Sequence, residues 1–303
     1  MRKYSRRFLL AYLFALCLNG ETQTTQPFAG VTHISRQEDT PRKVNIHLVK
    51  IDLTTPGLSF KLTPPSGSRE TVRQTTVDFL KQEKAQIAVN GHFFFPYPST
   101  DEESFLIGLA ASNGNVFSAF EAPAQSYAIV TNAPALNIDD KNEASIIGPS
   151  SVNKVKLWNA VSGSAQIVTN GISTIPAYKD DDHPDGLLTP GGPNSYSNGK
   201  SWYDVPNART VVGLSENNRT LFLFTVDRAG GSQGMKLSEV ARLLIDDYGV
   251  SNALNLDGGG STTLAMFDPA VGEAKIVNTS ADNPNGRAVA SNLAVFAPTL
   301  PAK

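Results

Sequence analysis

The stretch from Thr220 to Thr263 constrains this chain most. Residues 220–226 (TLFLFTV) form an uninterrupted apolar run of strand length that closes on Asp227-Arg228. A glycine-rich loop follows, Ala229-Gly230-Gly231-Ser232-Gln233-Gly234. Ser238 is then placed to cap a helix whose Val240, Leu243, Leu244 and Tyr248 share one stripe, and Gly249 stops it. Residues 253–256 are a second strand running into Asp257-Gly258-Gly259-Gly260-Ser261-Thr262-Thr263. Strand, helix, strand predicts two parallel neighbours with Asp227 and Asp257 at carboxyl ends, the edge where open α/β sheets bind ligands.

Gly258, Gly259 and Gly260 free the backbone for unusual conformations and for close approach of a ligand to the amides. Ser261 and Thr262 add hydroxyls at the same place. The run is neither a dinucleotide fingerprint nor a P-loop, and Thr263 stands where a nucleophile elbow needs glycine. A tight turn with structural glycines is the plainer alternative. Asp227 and Asp257 are candidate paired carboxylates for glycosyl transfer, against a capping role for one and an ion pair with Arg228 for the other. Arg209 precedes an apolar strand and Arg287 lies in Asn285-Gly286-Arg287-Ala288, and both carry the donor fork suited to phosphate. Surface ion pairs are the ordinary alternative. Asn90 and His92 end a short buried strand at residues 87–89, with Phe93, Phe94 and Phe95 beyond. His92 is either a site residue or a satisfied histidine in an aromatic plug. Asp180-Asp181-Asp182-His183 is a candidate divalent-cation site, although acidic loop runs are usually just solvated.

Residues 1–7 are basic, residues 8–18 are apolar, and a polar stretch follows. This order predicts a secretory signal over residues 1–20, too short an apolar run for a comfortable bilayer span. Ser5-Arg6-Arg7-Phe8-Leu9 also resembles a twin-arginine signal. The sole cysteine, Cys17, lies inside this leader, so the mature chain excludes disulfides, cysteine nucleophiles and thiolate metal sites. Without the leader the balance is 22 basic against 28 acidic residues, a formal −6. That excludes a global attraction for nucleic acid. No later stretch is apolar enough to span a membrane, so no stable membrane insertion is expected once the leader is removed.

Residues 21–42 read as a flexible lead-in and residues 43–298 as one domain. Residues 44–53 alternate as a strand before a Pro56-Gly57 turn, residues 71–84 carry helical spacing, and residues 127–131 read as a strand. Residues 132–156 read as polar connection and 176–208 as a long irregular loop. The expected fold class is α+β: a single domain on a mixed, partly parallel β-sheet with few helices and long loops.

Taken together, several pieces resemble the phosphodiester glycosidase family. They are residues 44–53 with Pro56-Gly57, Ala88-Val89-Asn90-Gly91-His92-Phe93-Phe94, Val161-Ser162-Gly163, Ala208-Arg209-Thr210-Val211-Val212-Gly213, Val226-Asp227-Arg228, Asn255-Leu256-Asp257-Gly258-Gly259-Gly260-Ser261-Thr262 and residues 287–295. Two departures stand out. His92 replaces the second glycine of the family's Asn-Gly-Gly-Phe-Phe, and Gly286-Arg287-Ala288 replaces Glu-Arg-Pro.

The resemblance implies hydrolysis of a sugar-1-phosphodiester at the sugar side, releasing sugar and a phosphomonoester. It implies Asp257 as the first candidate for acid/base or nucleophile and Asp227 as the second, with Arg209 and Arg287 on the phosphate. Asn90, His92, Ser162, Gly258, Gly259, Gly260, Ser261, Thr262 and Asn292 would shape the pocket. The implied partner is a carbohydrate or sugar-phosphate substrate, with no certain cofactor and a divalent cation as a candidate. A glycosidase acting on a cell-wall or exopolysaccharide linkage without phosphate, and a non-catalytic glycan-binding protein, are the competing readings. The implied location is periplasmic or secreted.

Overall fold

A computed structural model describes residues 20–120, 132–175, 203, 205–279 and 283–300. The predicted leader, the strand expected at residues 127–131 and most of the irregular loop, including Asp180 to His183, lie outside the described residues.

The main element is an eight-stranded sheet. Its strands in chain order are β1 (Thr22–Phe28), β2 (Val31–Glu38), β3 (Val44–Asp52), β4 (Ala165–Thr169), β5 (Ile172–Ser173), β6 (Arg209–Ser215), β7 (Thr220–Val226) and β8 (Val250–Asn255). Across the sheet they lie in the order β1-β2-β3-β7-β6-β8-β4-β5. Every pairing is antiparallel, and so is every pairing in the smaller sheets. This corrects the expected mixed, partly parallel sheet. β7 and β8 do run the same way with α2 (Leu237–Asp246) between them in the chain. However, β6 is inserted between them and pairs antiparallel with both.

The physical reason lies in what covers the sheet. An unbroken apolar strand signals burial on both faces, which parallel sheets normally supply. Here β7 is buried on both faces within an antiparallel sheet. Leu221 and Leu223 enter a core shared with the other sheets, while Phe222, Phe224 and Val226 pack in a second core beneath α2.

Residues 21–42, expected to be a flexible lead-in, carry β1 and β2, and β2 pairs with β3 from Val31↔Ile51 to Glu38↔Val44. The polar composition that suggested a linker reflects an edge strand, since most of β1 is exposed. Residues 132–156 likewise contain the strands Ala135–Ile138 and Ala144–Ile147. The N-cap of α2 is Lys236 rather than Ser238, and its amide donates to Glu239 Oε2 at 2.8 Å. The same carboxylate takes both Nη groups of Arg42, at 2.6 and 2.8 Å.

Two five-stranded sheets cover the inner face of the large one. One runs Glu273–Ile276, Leu264–Asp268, Ile87–Asn90, Asn292–Phe296, Ser59–Leu62, and the other has Asn159–Ser162 at its centre. Leu62, Val89, Leu293, Leu136 and Val161 from these sheets meet Val49, Ile51, Val212 and Leu254 of the large sheet. α1 (Thr76–Glu83) is capped by Thr75, whose hydroxyl accepts from the Asp78 amide. It lays Phe79 and Leu80 on Ala88, Ala265 and Ala294, small residues that let the helix sit close to the sheet.

Candidate active site

The site forms where β7 and β8 end on one edge of the large sheet. β6 begins between them, so two inter-strand spacings separate the two carboxyl ends, about 10 Å. Asp227 follows β7 and is only 1% exposed. Its Oδ1 accepts from Asn278 Nδ2 at 3.0 Å, its buried Oδ2 makes no bond of ordinary hydrogen-bond geometry, and the Thr279 amide and hydroxyl act on the carboxyl only as looser contacts. Burial pushes its pKa up to about 6, partly offset by Asn278 and Thr279.

Asp257 is held through its backbone. Its amide donates to the Gly91 carbonyl at 3.1 Å, and its carbonyl accepts from Asn90 Nδ2 at 2.7 Å. Asn90 also accepts from the Thr210 hydroxyl at 2.8 Å and the Thr263 amide at 3.1 Å. It is therefore a fully engaged staple joining three segments.

The glycine-rich run forms a short 3-10 turn, Gly259–Ser261. Gly259 has φ +59°, a left-handed conformation that favours glycine. The amides of Gly259, Ser261 and Thr262 are spent on the carbonyls of Ala208, Gly258 and Gly259. Those of Gly258 and Gly260 remain as the loop's candidates for an anion. The Ser261 hydroxyl accepts from Arg287 Nη1 at 3.1 Å, and the Thr262 carbonyl accepts from Asn278 at 3.2 Å.

Arg287 stands over the Tyr97 ring, with its guanidinium carbon 4.8 Å from the centroid. It also lines a cavity of about 590 Å³ with Arg73, Phe94, Tyr97 and Asp101. The structure thus brings Asp227, Asp257, Asn90, the Gly258–Thr262 run and Arg287 together.

Four other predicted residues are placed elsewhere. Arg209 is fully buried and its side chain shares the α2 side of the sheet with Val211. Its Nε donates to the Met235 carbonyl at 3.1 Å and an Nη to the Val205 carbonyl. These donors brace the loop around α2. His92 is fully buried, with Nδ1 2.8 Å from the Ser291 hydroxyl and Nε2 within 3.0 Å of both the Leu109 carbonyl and the Ser162 amide. Burial lowers its pKa to about 4, which keeps it neutral at pH 7. Ser162 is buried beside it and donates to Leu109. Asn292 ties its strand to α1, accepting from the Thr76 hydroxyl at 2.7 Å, with its amide bonded to Thr63 Oγ1.

Asn278 joins this cluster although its sequence context gave no sign of it. In the sequence it is visible only as an Asn278-Thr279-Ser280 sequon, yet here it is buried and bonds Asp227, Thr262 and the Leu264 amide. Among the described residues no group of three or more His, Cys, Asp or Glu side chains is placed to hold a metal ion, and no helix is long and apolar enough to cross a membrane.

Residues 83–296 match the sequence model of a family described as phosphodiester glycosidase. No curated protein matches the chain at a significant level. Among solved structures, the chain is similar to the zebrafish N-acetylglucosamine-1-phosphodiester α-N-acetylglucosaminidase catalytic domain, auto-inhibited by its pro-peptide. The identity is 20% over 92% of this chain and 88% of that one, with a TM-score of 0.60. A hypothetical protein from Synechocystis aligns at 14% identity over 91% of this chain, with a TM-score of 0.64. The chain spans only 64% of that protein, less than two thirds of its length. A candidate exported protein from Burkholderia pseudomallei K96243 aligns at 14% identity over 84% of this chain and 74% of that one, with a TM-score of 0.55. At these identities the solved structures speak for the fold alone.

Proposed function

The chain belongs to the phosphodiester glycosidase family, and from that premise we propose that it hydrolyses a sugar-1-phosphodiester at the sugar side. The bond from the anomeric carbon to the phosphate oxygen breaks, the phosphomonoester departs, and water adds to the anomeric carbon. The observation that carries this reading is the buried, partly unpartnered carboxyl of Asp227 on the same sheet edge as Asp257 and the Ser261–Arg287 contact.

A phosphate is already a good leaving group, so stabilising its charge matters more than protonating it. Arg287, with the Gly258 and Gly260 amides, supplies that stabilisation. Asp227 takes the proton of the attacking water, a task suited to a carboxylate whose affinity for protons is raised. Asp257, less buried, supports the positive charge that develops on the sugar ring. Arg209 serves by bracing the Val205 and Met235 segments that flank α2 beside the site. The basic, apolar, polar order of the first residues supports an exported, periplasmic or secreted enzyme.

The test is incubation of purified protein with UDP-N-acetylglucosamine, with and without EDTA, beside Asp257→Asn. Free sugar from the wild type alone, with equal melting temperatures, is the expected result. No sugar from a folded wild type would move the assignment to a polysaccharide linkage without phosphate.

A further inference from the structure

The inner face of the large sheet changes character along its strands. At one end it gives Val49, Ile51, Val212, Leu214, Leu221 and Leu223 to the core. At the other, the same alternation places Asn45 and His47 on β3, Thr225 on β7 with Asp227 just past its end, and Thr210 on β6. The register sets His47 opposite Thr225 and Thr225 opposite Thr210. The Asp227 amide donates to the Asn45 carbonyl at 3.0 Å, which sets those two residues side by side.

Three polar atoms of this row, Asn45 Oδ1, Thr225 Oγ1 and Asp227 Oδ2, are buried and make no hydrogen bond among the described residues. One such atom is a local defect. Three at adjacent positions of two paired strands, one of them on the candidate base, form a pattern complementary to a ligand rich in hydroxyls.

His47 completes the row. Its Nδ1 lies 3.2 Å from His33 Nε2 on β2, and the rings are close to parallel, 12° apart. The two nitrogens of an imidazole diverge, so Nε2 of His47 is turned away from the β2 side. Burial, together with His33, keeps His47 neutral. A neutral imidazole carries one donor and one acceptor, and the His33 contact consumes one of them.

We propose that Asn45, His47, Thr225 and Asp227 are the sugar-binding wall of this active site, and that His47, held by His33, reads a sugar hydroxyl and so determines specificity. The sugar then lies against the large sheet, and the phosphate points toward Ser261 and Arg287. This deepens the function proposed above and rests on it.

The test couples protein and substrate changes. UDP-N-acetylglucosamine and its 3-, 4- and 6-deoxy forms are compared on the wild type, Thr225→Val and His47→Gln. A site built to bond a hydroxyl rejects the analogue lacking it by on the order of 100-fold or more. The expected result is that each variant loses kcat/KM on the parent substrate but pays little further penalty on one particular deoxy form. Variants that match the wild type on every substrate, or lose equally on all of them, would overturn the proposal.

A second readout does not need turnover. The His33 and His47 imidazole resonances should move on titration with N-acetylglucosamine, glucose or galactose, and immobility toward all three counts against the wall. Shifts without any sugar release would leave the wall standing and sink the proposed reaction. Release without coupling would do the reverse.

Discussion

Asn278 Nδ2 donates to Asp227 Oδ1 at 3.0 Å, and the same amide group donates to the Thr262 carbonyl at 3.2 Å. One side chain therefore fixes the buried carboxyl and the glycine-rich loop relative to each other. Asn278→Ala removes that link and leaves the Thr262 carbonyl and the Leu264 amide without their partner. We expect a loss of about 2–3 kcal/mol in stability and a fall in kcat of roughly 10- to 100-fold, read by chemical denaturation and steady-state kinetics.

The pKa of Asp227 is raised to about 6 in the folded chain against an ordinary value near 3.8. The folded state therefore binds more protons than the unfolded state between these values, and this group makes stability fall as pH rises from about 4 to about 6. Asp227→Asn retains an acceptor for Asn278 and removes the penalty. The variant should unfold at higher denaturant than the wild type at pH 7, by about 2–3 kcal/mol. Its advantage should vanish below pH 4. It should be inactive, while wild-type kcat/KM rises to a plateau with an apparent pKa near 6. A variant less stable at pH 7 would count against the buried-carboxyl account.

The two arginines should part company. Arg287→Ala should cost on the order of 100-fold in kcat/KM on phosphate esters with little change in melting temperature. Arg287→Lys should recover only part of it, because a point charge replaces the fork. Arg209→Ala should instead lose about 2–4 kcal/mol of stability, since the Met235 and Val205 carbonyls lose buried donors. Equal kinetic and thermal effects in both variants would contradict this division.

His92→Gly would restore the family's usual glycine, yet here it should harm the protein. The imidazole fills space between strands and engages Ser291, Leu109 and Ser162. We expect about 2–4 kcal/mol of destabilisation from the cavity and the lost bonds, with kcat of the remaining folded enzyme nearly unchanged. A stable variant of altered specificity would instead make His92 a pocket residue.

Much of the site was legible because strand ends carry their own punctuation. Asp227 and Asp257 each close an apolar run, and that placed them on one edge even though the parallel pairing inferred between their strands is wrong. Antiparallel insertion of β6 leaves no local mark, since the run at 220–226 looks the same whether its neighbours are parallel or antiparallel. The face that Arg209 presents was illegible for a related reason. Its residue type suits phosphate, but strand parity puts it on the α2 side, and parity is known only once the register is. β1 and β2 were hidden because an exposed edge strand and a polar linker share a composition. Asn278 was invisible because its partners lie 51 and 16 positions away. As a sequon it could not be used in the folded protein, because the nitrogen that would carry a glycan is buried against Asp227.

β7 sits at the middle of the large sheet, yet one of its flanks comes from the start of the chain. Ile51 pairs with Leu221, 170 positions later. During synthesis at about 5–20 residues per second, β3 emerges roughly 10 to 35 seconds before the strand that will cover its free edge. Until then the β3 edge of the β2–β3 hairpin keeps its backbone N–H and C=O groups unpaired, a template for pairing with another chain. Assembly of this sheet is thus governed by waiting time. Slowing elongation between residues 53 and 220 should raise the fraction lost to aggregation, whereas slowing it after residue 226 should not.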